Sequence, residues 1–330
     1  MHANALLQKE WKQGKIMLLM VGLLLLFHYP IRAIIAIEDW REAIKQDYFM
    51  PHSVPEFFGP SMPGMLAIIF IVLLAVQFIG TERNTRKHDF SFALPFSRRS
   101  MLFTKWALGA GFITVFMFVF SFIAFWLIRS SEFSAHLEGY NLLSFVLLPW
   151  LGYLATYTFA LFIGTITGEM ISQIALTFIF IVFPFGIFVL INHFTDLHFR
   201  SYIHPPNIFE LLIWPLYVIK PYTEQDLATW WIPALAIIIL ILLSQWLYER
   251  NDSEYNGEFL IFKQLQAFFR FGILTCFALL GGMIVSGLVP YTLSDTTKII
   301  FYWSGAFLFM FLSYLMTRRL FTMNIMFKGK

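Results

Sequence analysis

The chain has 330 residues, 58% of them hydrophobic and 13% charged, with a mean hydropathy of +0.70 and a formal charge of +3. A soluble domain cannot bury that much apolar surface, so the composition excludes a soluble fold and indicates a polytopic membrane protein. The single cysteine, Cys276, excludes an intrachain disulfide, and nothing in the pattern suggests a thiolate metal site.

Residues 1–15 are too polar for a signal peptide, so the first apolar run reads as a retained span. The leader ALLQKEWKQGK is amphipathic, with Leu7 and Trp11 one turn apart and Lys9 and Lys12 facing elsewhere. Such a helix lies in the membrane plane with its tryptophan at headgroup depth, or it is a plain basic anchor. Eight apolar runs approach or exceed the length of a spanning helix: 16–37, 63–80, 104–128, 142–164, 171–192, 230–248, 270–290 and 298–317. The expected fold class is therefore all-α: a polytopic transmembrane helical bundle forming one domain over residues 1–330.

Charge sets the expected orientation. Lys9, Lys12, Lys15, the basic cluster in 81–105, Arg250, Lys263, Arg270, Arg318, Arg319, Lys328 and Lys330 fall on one side, and acidic residues lean to the other. The positive-inside rule then places both termini in the cytoplasm. Two outer loops follow, 38–62 and 193–229. The second carries the run Leu211–Pro221, too short to span and expected to fold onto the bundle or lie in the interface.

The inner loop 81–105 reads TERNTRKHDFSFALPFSRRSMLFTK. Asp89 suits a helix N-terminus, where exposed amides stabilise a carboxylate. Phe90, Ala93 and Leu94 share one face, and Pro95 ends the run. Ser97 is placed to cap the next helix, with Arg98 and Arg99 at the membrane surface. A short apolar-faced helix here fits a protein groove; a basic loop here also fits anionic headgroups. The other inner segment, 249–270, turns at Asn256–Gly257 and then carries Phe259, Phe262, Leu265 and Phe269 at helical spacing, which suggests a second docking helix.

Polar groups within spans are few. His28 and Arg32, one turn apart in the first span, are the candidate pathway residues, while Glu169 is expected at a surface turn. His193, Asp196, His198 and His204 cluster in the outer loop, without the spacing of a zinc-protease helix. There is no GxxxxGK[ST] phosphate loop, no HExxH and no GxSxG, and no pair of carboxylates buried within a span. Any energy source must lie on another chain.

The inner segments resemble the ABC-2 class of permease subunits, the membrane halves of ABC transporters. The resemblance rests on Glu82, Arg83, Asp89, Phe90, Leu94, Pro95, Ser97, Arg98 and Lys105 in the inner loop, and on Leu7, Lys9, Glu10 and Trp11 in the leader. Arg250, Ser253, Glu254, Gly257 and Phe262 are similar to the inner loop of the larger Ytr-type bacterial permeases. His88 departs from the pattern, where a small residue is usual. The resemblance implies an elbow helix over 1–15 and a coupling helix over Thr85–Leu94. That helix would dock on a soluble ABC ATPase, with Glu82, Arg83, Asp89, Phe90, Leu94, Pro95 and Arg98 as coupling residues.

It further implies a second permease, identical or paralogous, a bacterial plasma membrane location and contact with membrane lipid. No cofactor sits on this chain, since ATP belongs to the partner, and no nucleic acid is involved. Two other classes compete with an exporter permease: a non-transporting sensory or scaffold subunit, and a membrane enzyme using His28 or the His193–His204 cluster.

Overall fold

The computed structural model describes residues 2–85, 95–138, 140–204, 206–220, 228–251, 253–290 and 292–320. Among these the regular structure is helical throughout. Seven helical stretches are long and apolar enough to cross a membrane, and the 17-residue Met62–Phe78 is a shorter apolar helix. The protein is a multi-pass membrane protein with an all-α fold. The described residues form two compact units, one of 1–165 with 214–251 and the other of 166–213 with 252–330.

The first unit begins with α1 (His2–Leu26) and continues through a π-turn at Phe27–Ile31 into α2 (Arg32–Lys45). Pro30 sits inside that turn. The wider π-turn accommodates a residue that lacks an amide hydrogen and would otherwise break the helix. The first helical stretch thus reaches Lys45, well beyond the expected end at 37, and the outer connection shrinks accordingly. The leader has no break from the span. Its turns are held by packing, since Leu6 and Leu18 are buried and the Gln13 amide donates to the Gln77 carbonyl at 2.7 Å.

Next come α3 (Ser53–Glu56), α4 (Met62–Phe78) and α5 (Gly80–Asn84). The Ser61 hydroxyl caps α4 by accepting from the Gly64 amide at 3.2 Å. α6 (Arg98–Arg129) starts where Ser97 accepts from the Ser100 amide at 3.2 Å, the expected cap. α7 (Leu142–Ile166) is the most enclosed span of this unit.

Its polar side chains are all engaged. Tyr153 donates to the Gly64 carbonyl at 3.1 Å, Tyr157 to the Lys105 carbonyl at 2.8 Å, and the Trp106 indole donates to Thr158 at 2.9 Å. Without water in a bilayer core, such pairing is what makes hydroxyls tolerable there.

The unit closes with α10 (Leu216–Ile219) and α11 (Trp231–Glu249). Trp214, Tyr217 and Val218 are buried, and Gly152 of α7 lies against Tyr217 and the Trp214 carbonyl. The short apolar run therefore folds onto the bundle. At the end away from the 81–105 loop, Trp40, Phe57, Phe58, Phe133 and Phe145 form one aromatic cluster, and Arg41 pairs with Glu132 at 2.7 Å.

The second unit holds α8 (Met170–Phe199), α9 (Asn207–Leu211), α12 (Lys263–Gly287) and α13 (Asp295–Leu320). α12 and α13 approach closely at Gly281, Gly282 and Gly305, where an added methyl would meet backbone or ring atoms. α8 extends past its expected end at 192, so His193, Asp196 and His198 occupy its last turns. The segment before α12 is not helical at Phe259 or Phe262. Instead its backbone pairs with the α7–α8 turn, Gly257 N to Gly168 O at 2.9 Å and Ile261 N to Ile166 O at 3.0 Å. Glu169, expected at the surface, is buried in that turn and accepts from Ser172 at 3.1 Å.

The α6–α7 packing gives a controlled test. A Cβ at Gly109 would lie 2.2 Å from the Tyr157 hydroxyl, whereas among the described residues nothing lies within 4 Å of one at Gly111. Gly109→Ala should destabilise the detergent-solubilised protein by about 1–3 kcal/mol. Gly111→Ala on the same helix should be neutral or slightly stabilising in the same thermal-unfolding assay.

Candidate functional site

Four charged side chains meet where the roots of the 81–105 loop join the bundle. Lys105, in the second turn of α6, is fully buried. Its ammonium lies 2.7 Å from Glu10 Oε2 of α1 and 2.9 Å from Glu82 Oε1 of α5. Lys9, partly exposed, reaches Glu82 Oε1 at 2.9 Å and Glu10 Oε1 at 3.1 Å. Two lysines thus bridge two carboxylates, with the Lys9–Glu82 and Lys105–Glu10 pairs 73 and 95 residues apart in sequence.

Local structure explains how they meet. α5 turns Glu82 inward one turn after α4 ends, and the cap at Ser97 sets the phase of α6 that points Lys105 inward. Gly14 of α1 sits against the Phe78 ring, whose face lies 5.9 Å from the Lys105 ammonium, so the helices can approach. Tyr157 holds the Lys105 carbonyl from the α7 side.

The electrostatics follow. Burial alone would raise the Glu82 carboxyl, but Lys105 and Lys9 outweigh it and hold the group below its ordinary value of 4.5. Burial pulls the neighbouring Arg83 guanidinium down to about 10, with Tyr248 and Glu82 opposing, so it stays charged at neutral pH.

The expected coupling residues divide. Glu82 and Arg83 are buried at the loop's first root. Pro95 is exposed. Arg98 donates to the carbonyls of Glu249 at 3.0 Å and Asn251 at 2.7 Å, and Arg99 pairs with the Glu249 carboxylate at 2.6 Å. Both arginines therefore sit on the C-terminus of α11, where a cation is favoured. Asp89, Phe90, Leu94 and the rest of the expected coupling helix up to that point lie outside the described residues, apart from Thr85.

The pathway candidates sit elsewhere. His28 is buried, with Nδ1 2.5 Å from the Ser61 hydroxyl. Arg32 lies over the Phe57 ring at 4.8 Å and 3.5 Å from the Gly59 carbonyl. In the second unit, His193 bonds Ser286 at 3.0 Å and His198 bonds its own helix at the Phe194 carbonyl. Among the described residues no three His, Cys, Asp or Glu side chains are placed to hold a metal.

The sequence places no pair of carboxylates within a span, and nothing local brings Glu10, Glu82 and Lys105 together. Folding makes one, from α1 and α5. The only available signal was the isolation of Glu10 and Lys105 as charges close to apolar runs.

Lys105→Met should leave Glu10 without its buried partner and cost about 3–5 kcal/mol of stability. Lys9→Met, at a partly exposed position, should cost about 1 kcal/mol or less. Thermal unfolding of both variants checks the contrast. The lowered Glu82 value makes its stabilisation complete above the ordinary carboxylate range and lost as pH falls through it. Unfolding of the wild type should therefore become easier on acidification below about 4.5, and Glu82→Gln should blunt that dependence.

Comparison with known proteins agrees with this architecture. Residues 7–184 match the model of the ABC-2 family transporter protein. The chain is similar to two Bacillus subtilis (strain 168) proteins. One is "Probable ABC transporter permease YtrC", 25% identical over 79% of this chain and 82% of that protein. The other is "Probable ABC transporter permease YtrD", 24% identical over the same shares. No solved structure matches the chain significantly. With more than half its length matched by the family model and its helices built for a bilayer, the chain belongs to the ABC-2 transporter family, as one of its multi-pass membrane proteins.

Proposed function

We propose that this chain is the permease subunit of an ABC exporter in the bacterial plasma membrane, with both termini cytoplasmic. A separate ATP-binding subunit, docked on the 81–105 loop, drives it. Family membership supports a partnering ATP-binding subunit, and the names of the two relatives support the permease role.

The observation that carries the mechanism is the buried network. Glu82 at the loop's first root and Lys105 at its second are joined at 2.9 Å and tied together to Glu10 of α1. A displacement of the loop therefore reaches α1, α4 and α6 together, with little slack, because a buried ion pair cannot stretch cheaply.

In this reading ATP acts on the partner alone. Its two states contact the loop differently, and that difference in contact energy shifts the populations of two arrangements of the spans. A second permease, identical or paralogous, completes the path. His28 and Arg32 are the polar side chains assigned to that path, and lipid surrounds the bundle.

Co-expression with the soluble ATPase tests the docking. Phe90→Asp and Leu94→Asp should each abolish co-purification, while the protein still folds and inserts. Retained association with normal stimulation of ATP hydrolysis would remove the loop from the docking role.

A further inference from the structure

The turn that precedes α8 hides a carboxyl group without a counter-charge. Glu169 is 4% exposed, and its Oε1 accepts from the Ser172 hydroxyl at 3.1 Å. Among the described residues no lysine, arginine or histidine pairs with it. Glu10 and Glu82, by contrast, are buried against lysines. An ionised carboxylate enclosed without a cation is costly, and such a group favours its protonated form.

The inner segment 253–261 covers this turn. It is fastened by two backbone hydrogen bonds, Gly257 N to Gly168 O at 2.9 Å and Ile261 N to Ile166 O at 3.0 Å. The approach is close: a Cβ at Gly168 would lie 2.3 Å from the Glu258 carbonyl oxygen and 2.6 Å from that of Tyr255. Gly257, Leu260 and Ile261 are buried. Two backbone bonds are a light attachment, because water competes for both partners once they separate.

The ionisable groups around Glu169 set the sign of its effect. From Thr165 to Ile174 the chain carries no other. The covering segment brings Glu254, Tyr255 and Glu258, which add negative charge and no positive charge. Lys263, at the start of α12, has its ammonium over the Tyr255 ring at 4.4 Å. Arg270 lies further along α12, next to Phe269, which packs on Phe180 three turns beyond Glu169 at 5.5 Å. Burial accordingly raises the Glu169 carboxyl above its ordinary value of 4.5, outweighing the hydrogen bonds from Ser172 that lower it.

Releasing the segment would return water to the carboxyl and remove the penalty on its charge. Docking of the segment and protonation of Glu169 are therefore linked, each favouring the other. The contribution is fully present below the ordinary carboxylate range and is lost as pH rises through the raised value.

We propose that Glu169 is a proton-operated latch: protonated, it holds segment 253–261 on the 166–169 turn, and ionised, it lets the segment go. Since the segment runs directly into α12, the latch decides whether that helix starts from a fixed root or a loose one. The device lies within the second unit and does not depend on an ATP-binding subunit.

The test uses the full-length chain purified in detergent, as wild type, Glu169→Gln, Glu258→Gln and Gly168→Ala. Hydrogen–deuterium exchange of the 255–262 region is followed from roughly pH 5 to pH 8, corrected for the intrinsic exchange rate at each pH. A local readout is needed because Glu82 shifts global stability in the opposite direction.

Protection at Gly257 and Ile261 should fall several-fold as pH rises in the wild type. Glu169→Gln, which keeps the shape and cannot ionise, should stay protected throughout. Glu258→Gln should follow the wild type, and Gly168→Ala should lack protection at every pH. The proposal is overturned if wild-type protection does not change with pH, or if Glu169→Gln falls as the wild type does. It is equally overturned if Glu258→Gln abolishes the dependence, since the titrating group would then lie on the segment. Full protection in Gly168→Ala would overturn the docked contact itself.

Discussion

The first unit depends on one buried ammonium. Lys105 enters from the second turn of α6 and meets carboxylates from α1 and α5, all three at 1% exposure or less. In so apolar a setting each charge alone would be prohibitive, and together they are tolerable only at close contact. The network therefore defines the register of three elements at once. Sliding α1 by a turn, or rotating α6, would strand at least one charge. Apolar packing cannot impose that constraint within lipid, where a Leu is equally content against a neighbouring helix or an acyl chain.

Around this point the unit satisfies its polar groups helix by helix. α7 carries Tyr153, Tyr157 and Thr158, and each hydroxyl closes a bond to α4, α6 or its own turn. His28 does similar work at the far end: its ring meets Ser61, the residue that caps α4, and packs against Gly64. The second unit relies on small residues more than on charge. Gly281, Gly282 and Gly305 let α12 and α13 meet at backbone distance, and Gly168 admits the carbonyls of Tyr255 and Glu258.

For a transporter the consequence concerns stiffness. A loop whose two roots are tied together and to a third helix acts as a lever. A loop on independent roots would dissipate motion before it reached the spans. The arginines after the loop extend the same connection to α11, since Arg98 and Arg99 grip its C-terminal carbonyls and Glu249. Four helices of one unit thus share a polar joint at the roots of the 81–105 loop.

Much was legible in the chain itself. Runs such as 104–128 and 142–164 must be helices in a bilayer, because only a helix satisfies its own backbone there. Ser97 announced the start of α6, and the inner-loop residues carried the family resemblance. These are local properties, governed by spacing along the chain. The elements that depend on distant partners were not legible. Glu169 read as a surface residue because nothing local shows that Ser172 and the 253–261 segment enclose its turn. The expected docking helix at Phe259–Phe262 yields to backbone pairing with Ile166 and Gly168, which no periodicity reveals. Composition and hydrophobic run length determined that this is a helical membrane protein. Only tertiary structure decided that Glu10, Glu82 and Lys105 belong together, because charge pairing across 73 and 95 residues is set by how the helices pack.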